Sequence, residues 1–510
     1  AGMIIKELKL RGAASRVLIV TPGHLKAQWQ REMREKFQEH FTVVDRSYLR
    51  SRQGENPWMV ENSYITSIDF AKQDDVMASL SSTRWDLVVV DEAHKMSARV
   101  RSENRTDATR RYRLGQILSR TSDHMLLLTA TPHSGDPDAF RLLLDLLRPG
   151  FFANPELIQE SRRNRDNPLF IRRVKEELRD FDGKPIFPRR YTHTHSFNLS
   201  DREMELYNEI SRYITEQYNR AISTDRRAHA FAMMLLQRRM ASSIYAVMMS
   251  LRRKRERCLQ LMEDLESVSR IEVPGDYSDL EERKIWEIER ILEGSTLADS
   301  LPELKSEVRT LEGLIEDAER LLESGTETKL RELQRILEEI GDEKILIFSE
   351  SKDTVDYLLE RIESWGYSVC TIHGEMSMDE RIAAEEDFRR NRQVMVATEA
   401  AGEGINLQFC HIMVNYDIPW NPNRLEQRMG RIHRYKQRRD VHIYNLVAGN
   451  TREGLVMRRL LEKLDSIRQD IGSDKVYDVI GEIYTERDIS GIIEKTLRGE
   501  LRDEEIDELL

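Results

Sequence analysis

The sequence contains few cysteines and no long apolar run. Its three cysteines, Cys258, Cys370 and Cys410, are too widely spaced for a disulfide framework or a zinc site, and such usage is typical of a reducing cytoplasm. No apolar stretch approaches the ~18 residues that a membrane span requires, so we expect no contact with a membrane. The 510 residues also contain no G-x-x-x-x-G-K-[ST] sequence, the loop that cradles nucleotide phosphates in many ATPases.

The chain also lacks an excess of basic residues. It has 79 lysines and arginines against 90 aspartates and glutamates, which gives a net charge of -11. This balance excludes a protein that coats nucleic acid by bulk charge, so any such contact must use locally concentrated basic residues. Arg252 to Arg255, with Arg257, form one such run. A run of this kind is usually a solvated face, but it could also contact DNA.

A short apolar run followed by two acids stands out near the end of the first hundred residues. Asp86 to Val90 predicts a buried strand of a parallel sheet, and Asp91, Glu92 and His94 follow it directly. Ligands bind beyond the carboxyl ends of such strands. One acid at this edge is suited to holding Mg²⁺, and its neighbour to orienting an attacking water. The alternative is a strand followed by an acidic helix start, which the helix dipole favours.

The Asp-Glu-Ala-His sequence at 91–94, together with Thr-Ala-Thr-Pro at 129–132, resembles the superfamily 2 helicase-like ATPases. Among these the chain is most similar to the Swi/Snf-type DNA translocases, and the resemblance runs from Gly2 to about Gln437. It implies an α/β fold with two RecA-like parallel-sheet lobes and a long helical insertion between them. It also implies ATP and Mg²⁺ as cofactors, with Asp91 as the metal ligand, and it assigns His94, Thr129 and Thr131 to coupling of hydrolysis to movement.

The densest signal of the resemblance lies between residues 398 and 437. Gly402 and Gly404 belong to a glycine-rich loop whose amides can approach phosphate closely. Arg431 and Arg434 lie three residues apart, on one helix face if that segment is helical, and guanidinium groups are suited to stabilising γ-phosphate charge. Gln427 resembles the family glutamine that helps to position water. With Asp91 and Glu92, these three residues form the predicted catalytic set.

The resemblance also implies a set of nucleic-acid contacts, most of them in loops that follow strands. Short hydroxyls and loop amides suit phosphate oxygens and carry no base information. The predicted contacts, most consistent with double-stranded DNA, are Pro22, Gly23, His24, Thr66, Ser67, Ser349, Thr398 and Trp420.

Four segments are predicted along the chain. Residues 1–195 form the first lobe, 196–340 a helical insertion, 341–475 the second lobe and 476–510 an acidic tail. Within the insertion, Ser200 with Glu203 predicts a helix cap, and apolar residues from Leu304 to Leu322 follow a heptad pattern. We predict that the insertion is a packed helical hairpin or stalk that offers a surface for protein partners. His193 and His195 precede it on a strand without further ligands nearby, so we predict a strand surface there.

Two positions depart from the family pattern. Lys436 stands where the family usually has glycine. The family's phosphate-binding loop ends just before a pair that resembles Ala1-Gly2, so we expect that the chain as given does not hydrolyse ATP appreciably.

Two other functions compete with a duplex translocase. One is a strand-separating DNA or RNA helicase with a helical arm, although such enzymes usually carry a Gly-Leu-Asp-Ile motif where this chain has Gly404 to Leu407, Gly-Ile-Asn-Leu. The other is a DNA-binding scaffold that hydrolyses nothing, which the missing phosphate loop motivates and the acidic pair opposes.

Overall fold

The computed structural model describes residues 1–52, 56–96, 98–102, 105–107, 109–129, 137–151, 169–171, 175, 178–263, 282–298, 300–399, 407–471, 491–493, 495, 496 and 505. These residues fall into two compact units, and the chain passes from one to the other between residues 173 and 174. Thr131, Gly402 and Gly404 lie outside the described residues, as does most of the predicted acidic tail. None of the described helices is long and apolar enough to cross a membrane.

The first unit is built around a five-stranded parallel sheet with the strand order β2-β3-β1-β4-β7. Its strands are β1 (Val17–Thr21), β2 (Thr42–Val44), β3 (Ser63–Ser67), β4 (Trp85–Val90) and β7 (Ser122–Leu127). A separate antiparallel pair consists of β5 (Arg99–Ser102) and β6 (Arg105–Asp107). Branched aliphatic residues fill the buried central strands, as expected of a sheet that is covered on both faces.

Within the part of the chain that the structure describes, seven α-helices and three short 3₁₀ helices accompany the first sheet. The α-helices are α1 (Gly2–Leu10), α2 (Lys26–Phe37), α3 (Arg46–Ser51), α4 (Ile68–Ala71), α5 (Asp74–Ser81), α6 (Arg110–Thr121) and α7 (Pro137–Leu147). The 3₁₀ helices are Gly23–Leu25, Pro57–Met59 and Ala93–Met96. Two apolar clusters form the core, one containing Leu18 and Val88, the other containing Ile19 and Val89. This alternation places consecutive strand residues on opposite faces of the sheet.

The second unit contains a six-stranded parallel sheet with the order β10-β11-β9-β12-β13-β8. The strands are β8 (Arg190–Phe197), β9 (Ile345–Phe348), β10 (Val369–Ile372), β11 (Val394–Ala397), β12 (Ile412–Asn415) and β13 (Val441–Ala448). Four helices follow these strands: α14 (Lys352–Ser364), α15 (Met378–Arg390), α16 (Pro422–Ile432) and α17 (Arg452–Ile471). Two parallel sheets with helices confirm the α/β class and the two RecA-like lobes predicted from the sequence.

The predicted first lobe ended at residue 195, which would place most of strand β8 in that lobe. The structure instead places β8 at the edge of the second sheet. All eight of its residues pair in parallel with β13, from Arg190 opposite Val441 to Phe197 opposite Ala448. His193 stacks on His442, with ring centroids 5.6 Å apart, and on Tyr444, at 5.0 Å. The described residues contain no cluster of possible metal ligands, so these histidines are packing residues of a half-buried strand.

The predicted helical insertion is present as α8 (Asp201–Ser223), α9 (Arg227–Ser242), α10 (Ile244–Glu263), α11 (Glu282–Glu293), α12 (Leu301–Glu323) and α13 (Thr328–Ile340). Ser200 and Glu203 form the predicted capping box at the start of α8. The heptad residues of α12, including Leu304 and Leu311, pack with α8, α9 and α10 in a core of their own. Helix α13 instead packs on the second sheet through Leu333 and Leu337.

Candidate active site

The carboxyl edge of the first sheet gathers most of the residues predicted for that lobe. Because β1 pairs with both β3 and β4 in parallel, Thr21 lies opposite Ser67, and Asp91 follows Val90, which pairs with Val20. The Asp91 amide donates to the Val20 carbonyl oxygen at 2.8 Å, so the first acid is fixed directly at the strand end. Loops after adjacent parallel strands converge at such an edge, which is where ligands bind in this class of sheet.

Both oxygens of the Asp91 carboxylate accept hydrogen bonds. Oδ1 accepts from the Glu92 amide at 3.0 Å, and Oδ2 accepts from the indole Nε1 of Trp29 at 2.8 Å. The side chain is half-buried and each oxygen retains a further lone pair. A fixed, partly exposed carboxylate is a suitable ligand for Mg²⁺, which prefers a few carboxylate oxygens and keeps several waters.

Glu92 and His94 are held in a tight turn after the strand. Glu92 has a φ of 50°, a left-handed conformation that costs about 1–2 kcal/mol for a residue with a side chain. The Ala93 amide donates to the Leu128 carbonyl oxygen, and His94 Nδ1 lies 3.0 Å from Thr129 Oγ1 and 3.4 Å from Glu92 Oε2. The structure therefore brings Glu92, His94 and Thr129 together, with a hydrogen bond between His94 and Thr129 and the Glu92 carboxylate 3.4 Å from the same ring nitrogen.

The predicted nucleic-acid contacts of the first lobe have different environments. Pro22 is buried and precedes the 3₁₀ helix Gly23–Leu25, where Gly23 is half-exposed. Thr66 is fully buried and its hydroxyl donates to the Val44 carbonyl oxygen at 3.1 Å, which corrects its prediction as a phosphate donor. Ser67 caps α4 by accepting from the Phe70 amide at 3.2 Å.

Ser349 and Thr398 follow strands β9 and β11 of the second sheet, and both are fully buried. The Ser349 hydroxyl donates to Asp417 Oδ2 at 2.6 Å, and the Ser242 hydroxyl, at the end of α9, donates to the same oxygen at 2.6 Å. Asp417 Oδ1 accepts from the Glu350 amide at 2.9 Å. The prediction that the Ser349 hydroxyl contacts phosphate is therefore corrected, because this buried hydroxyl donates its hydrogen bond to Asp417.

Asp417 is a functional candidate that the sequence reasoning did not assign a role. The signal that could have identified it is an acid placed just beyond a buried apolar strand, the same arrangement that identified Asp91. Its carboxylate organises the second sheet's carboxyl edge by accepting three hydrogen bonds from two segments, the end of α9 and the residues that follow β9. A buried carboxylate bonded in this way is a structural centre rather than a free ligand.

Helix α16 ends at Ile432, before Arg434, so it is shorter than a helix that carries both arginines. Arg431 lies in its last turn and is half-buried, whereas the exposed Arg434 follows the helix end at Ile432. The two arginines therefore do not share one helix face, which corrects that expectation. Gln427 is exposed on the same helix.

Arg428 is the second residue that sequence reasoning missed, although it lies inside the arginine-rich motif. Its side chain is fully buried, and it donates from Nε to Glu399 Oε1 at 2.7 Å and from Nη1 to the Asp417 carbonyl oxygen at 2.8 Å. Burial alone lowers the pKa of a guanidinium, but the nearby carboxylates Glu399, Asp417 and Glu350 raise the pKa of Arg428 above its ordinary value. Arg428 therefore remains charged and fixes α16 to the sheet.

Trp420 is almost fully buried rather than presented to solvent. The Arg238 guanidinium of α9 lies over its ring, 5.5 Å from the centroid, and also contacts the Glu350 carboxylate at 3.1 Å. Trp420 and Arg238 line a cavity of about 100 Å³ between α8, α9 and the second sheet. The Arg238 side chain covers the Trp420 ring, so contact between Trp420 and nucleic acid requires that side chain to move.

The basic run of α10 is engaged within the protein. Arg252 pairs with Glu319 at 2.5 Å, and Arg253 pairs with Glu293 and with Asp353, both at 2.8 Å. Lys254 is buried against a carboxylate of α12. These pairs join α10 to its neighbouring helices and to α14, so Arg252, Arg253 and Lys254 already have carboxylate partners within the protein.

Lys436 explains why glycine is usual at its position in the family. Its φ is 77°, in the left-handed region that glycine enters without cost. The neighbouring Gln437 closes the loop, because its Nε2 donates to the carbonyl oxygens of Gln408 and Cys410 at 2.9 Å. Lys436 therefore holds a backbone conformation that costs a residue with a side chain about 1–2 kcal/mol.

Comparisons with known proteins agree with this architecture. Residues 2–259 match the SNF2-related domain, and residues 328–436 match the helicase conserved C-terminal domain, which begins where α13 begins. The chain is 30% identical over 483 residues to the ATP-dependent helicase YqhH of Bacillus subtilis, covering 92% of this chain and 74% of that protein.

Other relatives are longer than this chain. It is 26% identical over 513 residues to the RNA polymerase-associated protein RapA of Vibrio cholerae, covering 94% of this chain and 48% of that protein. The chain thus spans about half the length of the RapA proteins it matches.

Two solved structures were also aligned. The Sulfolobus solfataricus SWI2/SNF2 ATPase core in complex with dsDNA shows 18% identity and a TM-score of 0.31 over 99% of this chain and 88% of that chain. The Pyrococcus furiosus Hef helicase domain shows 15% identity and a TM-score of 0.41 over 88% of this chain and 95% of that chain.

The SNF2-related match and the identity to YqhH confirm the resemblance seen in the motifs. The chain belongs to the SNF2-related, Swi/Snf-type family of superfamily 2 helicase-like ATPases.

Proposed function

We propose that this chain is the core of an ATP-dependent translocase that moves along double-stranded DNA. The observation that supports the proposal most strongly is the group formed by Asp91, Glu92, His94 and Thr129 at the carboxyl edge of the first sheet. This group combines the fixed carboxylate of Asp91, the neighbouring carboxylate of Glu92, and a contact from His94 to Thr129 in the segment that follows β7. Metal-assisted hydrolysis of a phosphoanhydride needs the first two, and coupling to movement needs the third.

In this proposal each residue of the group has one role. Asp91 would hold Mg²⁺, directly or through water, and when bound the ion neutralises charge on the β- and γ-phosphates. Glu92 accepts the proton of the attacking water. His94, held between Glu92 and Thr129, relays the position of the acid to the segment that follows β7. Thr131 would extend this relay.

The second lobe would contribute positive charge and water positioning. Arg431 and Arg434 stabilise charge on the transferred phosphoryl group, and Gln427 orients the water. Gly402 and Gly404 would bring backbone amides close to phosphate. Arg428 has a separate role in this proposal, because its buried ion pair fixes the helix that carries Gln427 and Arg431.

The proposed DNA contacts are revised by the burial of several side chains. Gly23 and His24 would contact phosphates through loop amides. Pro22, Thr66, Ser67, Ser349 and Thr398 would instead shape the loops that make contact, since all five are buried. Trp420 would reach DNA only after Arg238 leaves its ring.

The direct test uses a protein in which a G-x-x-x-x-G-K-T loop precedes Ala1. We expect ATP hydrolysis that duplex DNA stimulates more than single-stranded DNA or RNA does. The matched control is Glu92→Gln, which keeps the shape of the side chain but removes the base, and which should abolish turnover while ATP binding remains. A Glu92→Gln protein that turns over at the wild-type rate would show that the site is wrongly assigned.

Movement and unwinding are separated by two substrates. Displacement of a triplex-forming strand reports translocation along the duplex, whereas opening of a forked duplex reports strand separation. We expect triplex displacement without fork opening, and binding that is independent of sequence and weakens steeply with salt. Efficient fork opening, or a preference for RNA, would favour the strand-separating helicase instead.

The scaffold alternative is tested with the 510-residue chain itself. We propose that this chain, which contains no G-x-x-x-x-G-K-[ST] sequence, does not hydrolyse ATP appreciably. Robust DNA-stimulated turnover by the purified chain would refute that, and absence of turnover after the loop is supplied would favour the scaffold. We also propose that the helical region is the surface for protein partners. The three free cysteines are consistent with the proposal of a cytoplasmic protein.

A further inference from the structure

We infer that Trp29 is a positioning residue that connects the proposed DNA-contacting loop at residues 22–24 to the metal-binding carboxylate of Asp91. The inference rests on the proposed function, because it assigns a role within the same site. Its basis is one hydrogen bond: Trp29 Nε1 donates to Asp91 Oδ2 at 2.8 Å, across 62 residues of sequence.

The position of Trp29 on its helix gives this bond a direction. The Leu25 amide donates to the Pro22 carbonyl oxygen at 3.0 Å, which closes the 3₁₀ turn, and α2 begins at the next residue. Trp29 therefore lies one helical turn beyond the loop. A displacement of the loop moves the start of α2, and the indole moves with it.

The ring of Trp29 is also seated against the sheet. It is half-buried and packs against the apolar cluster that contains Ile5, Ile19 and Val89. This packing holds the plane of the indole, so its N–H points in one direction. A half-buried tryptophan usually finds some acceptor for its N–H. Here the acceptor is the carboxylate oxygen of the proposed metal ligand.

The two hydrogen bonds to the Asp91 carboxylate come from different parts of the chain. The Glu92 amide that bonds Oδ1 comes from the same turn and cannot report on the DNA-contacting loop. The Trp29 bond to Oδ2 comes from another segment and ties the carboxylate itself to the helix that follows that loop, whereas the bond from the Asp91 amide to the Val20 carbonyl oxygen restrains the backbone. Groups that orient a metal ligand typically change metal affinity by about 10–100-fold when they are removed.

The first test detects the bond in the 510-residue chain. Tryptophans are labelled with 5-fluorotryptophan, and the Trp29 resonance is identified by its loss in Trp29→Phe. We expect Asp91→Ala to shift this resonance. The matched control is Asp86→Ala on the same strand, whose carboxylate accepts from the Ser15 and Arg16 amides and should leave the Trp29 resonance in place. A resonance that does not respond to Asp91→Ala would overturn the inference.

The second test measures positioning in the protein that carries a phosphate-binding loop ahead of Ala1. Trp29→Phe keeps an aromatic ring and removes only the N–H. We expect its half-saturating Mg²⁺ concentration to rise by about tenfold, and excess Mg²⁺ to restore most of the turnover. Stimulation by duplex DNA should fall, while the Kd for duplex DNA and the Tm stay close to wild type.

The outcomes separate this inference from the proposed function. An unchanged Mg²⁺ dependence and unchanged DNA stimulation in Trp29→Phe would overturn the positioning role. This holds even if the protein with the phosphate-binding loop and an intact Trp29 is a DNA-stimulated ATPase. A lower Tm with a proportional loss of turnover at every Mg²⁺ concentration would also overturn it, because packing alone would then explain the effect. If the wild-type protein shows no DNA-stimulated turnover, the proposed function fails, and the Trp29 resonance still reports whether the bond exists.

Discussion

Replacing Arg428 with alanine is the sharpest structural test of the second lobe. The Arg428 side chain is 0% exposed and compensates three carboxylates, those of Glu399, Asp417 and Glu350. Removing one partner of a buried ion pair leaves uncompensated buried charge, which typically costs about 3–5 kcal/mol. Arg424 is the matched control, one helical turn earlier, because its side chain is 25% exposed and lies 3.6 Å from Glu350. Because Glu350 keeps a second cation, Arg238, at 3.1 Å, we expect Arg424→Ala to cost less than Arg428→Ala.

The assay is native-state hydrogen exchange on the 510-residue chain. It reads opening free energies for β9, β11 and β12 separately from those for β4, which lies in the other compact unit. Arg428→Ala should lower the values for the second-sheet strands by about 3–5 kcal/mol and leave β4 within about 0.5 kcal/mol of wild type. The reasoning is refuted if the second-sheet strands lose less than about 1 kcal/mol, or if Arg424→Ala has the same effect.

Four further predictions follow from the site and its surroundings. In a protein with a phosphate-binding loop, Arg431→Ala or Arg434→Ala should reduce turnover by about 10³-fold or more, measured by steady-state ATP hydrolysis; a near-normal rate would exclude the arginine from the site. Burial and neighbouring cations lower the pKa of His229 from 6.5 to about 2. Because this folded-state pKa lies below the unfolded one, stability is fully present above pH 6.5 and falls by about 1.4 kcal/mol per pH unit below it. The unfolding free energy is measured in urea near pH 7.5 and near pH 5.5, about one pH unit either side of the titration. The fall in unfolding free energy between these two pH values should be smaller in His229→Gln than in the unsubstituted chain, and an equal fall would contradict this assignment. Lys436→Gly should raise the unfolding free energy by roughly 1 kcal/mol, since glycine adopts the positive φ without strain; equal urea midpoints would argue otherwise. Arg252→Gln should leave the Kd for duplex DNA within about twofold, because its guanidinium already pairs with the Glu319 carboxylate of α12; a tenfold loss would restore the basic run as a DNA contact.

Local sequence rules were sufficient for much of the fold. The strands around Val88 and Leu346 are buried apolar runs, whose length and branching identify them without tertiary information. The capping box at Ser200 and the heptad pattern of α12 were also confirmed, because both depend on residues within a few positions of each other.

Edge strands and helix ends were harder to predict. Strand β8 reads like any half-buried strand, and only its pairing with β13, about 250 residues later, shows which sheet it joins. Helix α16 ends at Ile432 although the arginine spacing continues to Arg434. Periodicity predicts the existence of an element better than it predicts its partner or its last turn.

The environment of a polar side chain depends on contacts that sequence spacing does not reveal. Thr66 lies near the end of β3 and Ser349 follows β9, yet both hydroxyls donate inside the protein. The acceptor of the Ser349 bond is Asp417, which also binds Ser242 from a helix 175 residues away. A motif predicts that a loop reaches the sheet edge, whereas burial decides which of its atoms remain available for a ligand.

The contacts of α9 and α10 with the second sheet bear on how a translocase of this kind could work. Ser242 bonds the Asp417 carboxylate, Arg238 pairs with Glu350, and Arg253 pairs with Asp353, so three contacts join the helical region to the segments after β9 and β12. Each contact is buried or half-buried, and breaking a buried ionic contact costs several kcal/mol, whereas exposed pairs cost about 1 kcal/mol or less. The helical region and the second sheet therefore form one cooperative unit, and the proposed movement of the second lobe would carry helices α8–α12 with it.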